Sequence, residues 1–132
     1  MKPIQKSVCF VSLGCVKNRV DTEIMAGMVI AEGARIVAEP EDADIVVINT
    51  CAFIEKAREE SVETILEIAN RVSEETILVA AGCMAQRYVD ALSKEMPELK
   101  FFVGTKNLEA IKEILRNSKK RIHVSEAGSY LQ

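Results

Sequence analysis

The sequence has one histidine, His123, close to its C-terminal end. That scarcity argues against a histidine-based hydrolase and against a metal site built on several imidazoles. Long apolar runs are missing, and none approaches the roughly 20 residues of a membrane-spanning helix. The opening stretch MKPIQKSVCFVSLGC has only a short apolar core and no small-residue cleavage site, so it does not read as a signal peptide. Excess positive charge is missing too. The formal net charge of −3 leaves no electrostatic footprint for nucleic acid over the whole chain. The expectation is a cytoplasmic protein with no membrane attachment.

With 132 residues, of which 48% are hydrophobic, the chain is long enough for one domain with a real core. Its apolar pattern alternates between strand and helix. Residues 8–13 form a short apolar run closed by Gly14, as expected of a strand buried on both faces. Residues 18–32 turn helical, with Val20, Ile24, Met28 and Ala31 on one side and Gly33 as the stop. Residues 34–38 read as a second strand, 40–42 as a polar turn and 43–48 as a third strand. A long helix over 52–72 follows, with Val62, Ile65, Ile68, Ala69 and Val72 near helical spacing. Residues 76–81 and 100–103 are strands, and 85–96 and 105–117 are helices. This alternation predicts an α/β fold: a doubly wound, flavodoxin-like parallel sheet of about five strands with helices on both faces. Residues 118–132 lose the periodicity and read as an edge segment or a linker.

The positions of the cysteines carry more than their number. Cys15, Cys51 and Cys83 each lie one or two residues past a predicted strand end, and a helix follows each. In an open parallel sheet the carboxyl ends of the strands share one edge, so the three can meet there. A helix N-terminus favours the thiolate, the form that binds iron. Gly14 and Gly82 directly precede two of them, where a glycine lets backbone approach a bulky group. Cys9 differs: it lies mid-strand, up to about 20 Å from Cys15 along an extended chain, and reads as core. Three thiolates without close C-x-x-C pairs do not make a structural zinc site. They suit a four-iron cluster with one iron left open. Three incidental cysteines in an ordinary α/β domain stand as the alternative.

The motifs around these cysteines are specific. Ser12-Leu13-Gly14-Cys15-Val16-Lys17-Asn18-Arg19-Val20-Asp21 resembles the first cysteine motif of the radical S-adenosylmethionine methylthiotransferase family. Asn49-Thr50-Cys51-Ala52-Phe53-Ile54, running on through Ala57-Arg58-Glu59-Glu60-Ser61, resembles the second. Ala81-Gly82-Cys83-Met84-Ala85-Gln86-Arg87-Tyr88 resembles the third, and the Val103-Gly104 pair also fits. The likeness runs from about Val8 to Leu115. Gly14-Cys15-Val16-Lys17-Asn18 and Cys51-Ala52-Phe53-Ile54 are more similar to the branch acting on a ribosomal protein than to the tRNA-modifying branch. Val16 replaces a proline common in that branch, and Ala52 a glycine.

The resemblance implies that residues 1–117 are an N-terminal iron–sulfur domain holding one [4Fe-4S] cluster on Cys15, Cys51 and Cys83. Asn18, Asn49 and Thr50 would then donate hydrogen bonds around it; helix capping and turn chemistry are their alternative roles. It further implies a second [4Fe-4S] cluster and S-adenosylmethionine in a radical domain that residues 118–132 would lead to. The motif for that cluster, C-x-x-x-C-x-x-C, does not occur in this chain. The chain alone is therefore expected to be inactive, and a monomer. The implied substrate is an aspartate of a small-subunit ribosomal protein. A tRNA adenosine is the alternative within the family, and a cluster-free flavodoxin-like binding module the alternative outside it.

Overall fold

A computed structural model of the chain describes residues 6–13, 16–51 and 55–125. Its strands are β1 (Ser7–Ser12), β2 (Arg35–Ile36), β3 (Ile45–Thr50), β4 (Ile77–Gly82), β5 (Leu99–Val103) and β6 (Ile122–His123). Its helices are α1 (Val16–Ala31), α2 (Glu55–Arg71), α3 (Cys83–Arg87), α4 (Val89–Glu95) and α5 (Ala110–Leu115), with a 3₁₀ turn at Pro40–Asp42. The strands form one parallel sheet in the order β2-β1-β3-β4-β5-β6.

The order follows from the apolar content of each strand. All six residues of β3 are buried, as a central strand covered on both faces requires. β2 is reduced to two exposed residues, Arg35 and Ile36, at one edge. On one face, Met25 and Val29 of α1 join Ile111, Ile114 and Leu115 of α5 over Val8, Ile45, Val47 and Val79. On the other, Ile65 and Ile68 of α2 and Leu92 of α4 cover Val46, Ile48, Ala80 and Phe102. This is the doubly wound, flavodoxin-like arrangement, and the direction in which strands are added reverses between β1 and β3.

Four local expectations change. The sheet has six strands, because Ile122–His123 pairs with Phe102–Val103 at the edge. There His123 is buried, and its Nε2–H donates to the Lys120 carbonyl at 2.7 Å. The single helix expected over 85–96 is two pieces, broken at Tyr88, whose φ of −122° and ψ of 29° leave the helical range. Helix α5 is shorter than expected, since residues 105–109 form turns.

The fourth change concerns the buried side of α1. It is the line Asn18, Asp21, Met25 and Val29, while Val20 is 47% and Ile24 43% exposed. Apolar periodicity misplaced the face because its N-terminal half is polar where it lies over the sheet edge. Met25→Ala is expected to lower unfolding free energy by about 2–5 kcal/mol in urea titrations. Ile24→Ala is expected to change it by about 0.5 kcal/mol or less. The reverse ranking would restore the apolar stripe as the buried face.

Candidate metal centre

Parallel pairing delivers successive strands to one rim. β3 ends at Thr50 and β4 at Gly82, and these two residues are register partners. The next residue on each chain segment is a cysteine, Cys51 and Cys83. Ser12, the last residue of β1, pairs with Asn49, and the Leu13 N–H donates to the Asn49 carbonyl at 3.0 Å. Neighbouring strands run about 4.8 Å apart, so the ends of β1, β3 and β4 fall within about 10 Å across the sheet. Cys15, which follows shortly after Ser12 in sequence, lies outside the described residues. Among the described residues no three Cys, His, Asp or Glu side chains converge as a ligand set.

Cys51 is buried, and Ser61 holds its backbone from both sides. The Cys51 N–H donates to Ser61 Oγ at 3.1 Å, and the Ser61 hydroxyl donates to the Cys51 carbonyl at 3.2 Å. Ser61 is itself completely buried, so this pair of bonds anchors Cys51 to α2. Cys83 is half-buried and opens α3. That helix has only five residues, so the dipole expected behind Cys83 is short.

Gly82 shapes the approach to Cys83. Its φ of 92° with ψ of −162° belongs to a region that essentially only glycine occupies. A Cβ there would fall on Asn49 Oδ1 and lie 2.5 Å from the Thr50 carbonyl oxygen. The glycine thus admits close contact between β4 and β3, and the space it leaves is filled by the protein's own atoms rather than kept for a cofactor.

Asn18, Asn49 and Thr50 tie the strand ends together. The Asn18 side-chain amide donates to the Leu13 carbonyl at 2.5 Å and to the Thr50 carbonyl at 2.9 Å. It therefore bridges β1 and β3 and does not cap its own helix. The Asn49 amide donates to the Asn18 carbonyl at 2.8 Å and to Thr22 Oγ1 at 3.0 Å. The Thr50 hydroxyl donates to the Ala81 carbonyl at 2.6 Å, joining β3 to β4. Asn18 Oδ1 and Asn49 Oδ1 are buried, and neither has a hydrogen-bond partner among the described residues.

Two residues that sequence reasoning gave no role complete the frame. Ser61 is one. The other is Gln86, whose Nε2 donates to the Ser125 carbonyl at 2.9 Å while its Oε1 accepts from the Thr105 N–H at 3.2 Å. A Cβ on Gly104 would collide with that Oε1. Both residues fall inside the quoted cysteine motifs, which was the only signal for them. Cys9 stands apart: it is buried mid-strand, opposite Val46, with its thiol 3.6 Å from the Ala38 carbonyl. Burial, and then the nearby Glu39 carboxylate, push the Cys9 thiol above its usual pKa. It stays protonated and core, as its mid-strand position predicts.

Residues 7–104 match the model of the family described as "Uncharacterized protein family UPF0004". Among curated relatives, the ribosomal protein uS12 methylthiotransferase RimO of Koribacter versatilis is 51% identical over 108 residues, 80% of this chain and 21% of that protein. The enzyme of the same name from Campylobacter fetus is 47% identical over 122 residues, 92% of this chain and 27% of its own. That of Desulfitobacterium hafniense is 48% identical over 122 residues, 91% and 27% respectively. The chain thus spans about a quarter of the length of the curated relatives it matches.

Two substitutions probe the frame by chemical denaturation. Gly82→Ala is expected to cost about 3 kcal/mol, from the strained torsion and the overlap with Asn49. Ser61→Ala is expected to cost about 1–3 kcal/mol by stranding the buried Cys51 N–H. A neutral result in either would detach that residue from the frame around the cysteines.

Proposed function

This chain belongs to the UPF0004 family, and on that footing we propose that it is the iron–sulfur domain of a methylthiotransferase modifying a small-subunit ribosomal protein. The observation that carries the reading is the Thr50–Gly82 register pair, which sets Cys51 and Cys83 side by side on one rim next to the end of β1. In this reading the thiolates of Cys15, Cys51 and Cys83 hold one [4Fe-4S] cluster. The donor set suits iron–sulfur ligation: it is all sulfur, comes from well-separated points of the sequence, and lacks the fourth ligand of structural zinc. When bound, the cluster supplies an iron without a protein ligand, as a seat for the sulfur to be transferred.

The chain's own residues do the positioning. Ser61 fixes the Cys51 backbone on both its N–H and its carbonyl, so its sulfur is presented from an anchored position. Asn18, Asn49 and Thr50 keep the ends of β1, β3 and β4 at constant spacing, which is what a shared inorganic core demands. Met84, which directly follows Cys83, is buried in the core on the α2 side of the sheet. Each thiol loses its proton to solvent on ligation.

S-adenosylmethionine and a second [4Fe-4S] cluster would act in a separate radical domain, joined in cis beyond residue 117. The substrate would be an aspartate of uS12, the protein in the relatives' names. No helix among the described residues is long and apolar enough to cross a membrane. A reducing cytoplasm would keep the ligand thiols from oxidising.

Anaerobic reconstitution with iron and sulfide tests the reading. About four irons per chain and a visible thiolate–iron absorption are expected. Cys15→Ala, Cys51→Ala and Cys83→Ala should each abolish that absorption, while Cys9→Ala should leave it intact. A spectrum that survives any of the first three substitutions removes that cysteine from the ligand set.

A further inference from the structure

On the face of the sheet that carries α2 and α4, an open groove of about 610 Å³ runs between these two helices. Its floor is apolar: Val62 and Leu66 from α2, Met84 from α3, Leu92 from α4, and Met96 just beyond. Leu66 is 43% exposed, one of the few large apolar side chains left to solvent. The groove begins beside the cysteine rim, because Met84 directly follows Cys83 and Glu55 opens the helix that follows Cys51.

Its edges are acidic. Glu55, Glu59 and Glu63 succeed one another at i,i+4 spacing along α2, and Glu95 stands at the end of α4. All four are exposed, and none forms a salt bridge with another described residue. Glutamates at this spacing repel each other, so the helix gains nothing from them. Among the described residues the one cation lining the groove is Arg58, and it is turned to Tyr88, donating to its hydroxyl at 3.3 Å with the guanidinium 5.5 Å from the ring centre. The Arg71 cluster with Glu39, Glu41 and Glu67 lies at the other end of α2.

An apolar floor between uncompensated carboxylates is complementary to a polypeptide with apolar side chains on one side and Lys or Arg on the other. A nucleic acid would meet the glutamates with its phosphates. A second copy docking by two-fold symmetry would bring the same acidic edges face to face. We propose that the groove between α2 and α4 docks a cationic, amphipathic segment of the protein substrate and leads it to the cysteine rim. This rests on the reading of the chain as part of a protein-modifying methylthiotransferase.

Fluorescence anisotropy with a labelled leucine–lysine amphipathic peptide, and with its leucine–glutamate counterpart, tests the docking. The lysine peptide should bind the full chain and the glutamate peptide should not. The Glu59→Lys/Glu63→Lys double variant should weaken binding about tenfold, and Leu66→Ser should weaken it while leaving the thermal melt unchanged. Glu74→Lys/Glu75→Lys, in the turn before β4 at the opposite end of the sheet, should alter affinity by less than about twofold. Equal binding of both peptides, or equal loss in the control variant, would overturn the proposal. So would a dimer in sedimentation that the groove variants dissociate, which would assign the face to a second copy. Iron content measured on the same variants separates the two readings. Normal iron with the wrong peptide pattern ends the docking alone; no iron in the parent chain with the expected pattern ends the cluster alone.

Discussion

The backbone hydrogen bonding that pairs Thr50 with Gly82, and Ser12 with Asn49, is the constraint on which the rest of this molecule depends. Parallel strands that share a register must end together. Three neighbouring strands ending together place whatever follows them at one rim, where the doubly wound topology reverses direction. The locations of Cys51 and Cys83 are thus properties of the sheet rather than of local side-chain packing. Gly82 strengthens the constraint, because its torsions let β4 close on β3 where any larger residue would meet Asn49 and Thr50.

A sheet ladder stops at the rim, and there the carbonyls of Leu13, Thr50 and Ala81 accept from side chains. Asn18 and Thr50 supply them, and Asn49 in turn holds the Asn18 carbonyl. This has a cost. Asn18 Oδ1 and Asn49 Oδ1 are buried with no partner among the described residues, and a buried acceptor left in that state costs about 1–3 kcal/mol. A wholly apolar rim would avoid that loss and strand the carbonyls instead. The adjoining sheet, with β3 and Phe102 fully buried, is what offsets the difference.

The same polar frame explains why α1 misled the periodicity argument. A helix that lies over a hydrogen-bonding rim at one end and over a hydrophobic sheet at the other carries a buried line of mixed character. Asn18 and Asp21 are buried on that line along with Met25 and Val29. Val20 and Ile24, placed inward on apolar spacing, are left near solvent on the neighbouring side. α2 shows the converse. Its buried side includes Ile65 and Ile68, which the pattern identifies correctly, yet the adjoining line of Glu55, Glu59 and Glu63 borders a groove that exists only because α4 lies across from it.

The amino-acid sequence by itself determined the α/β class, the order of strands and helices, and the fall of Cys51 and Cys83 just past strand ends. Those features are local: strand and helix periods, glycine stops and short motifs are written in neighbouring residues. It also marked Cys9 as core, because a mid-strand residue cannot reach the rim. Tertiary structure alone decided that Ile122–His123 adds a sixth strand, that Tyr88 breaks a helix, and that Ser61 clasps the Cys51 backbone. It alone set the donors of Asn18 on two separate strand ends. The β6 pairing and the Asn18–Thr50 bond join residues 20 or more apart in the chain, and such bonds depend on strand register and helix placement, which no window of neighbouring residues contains.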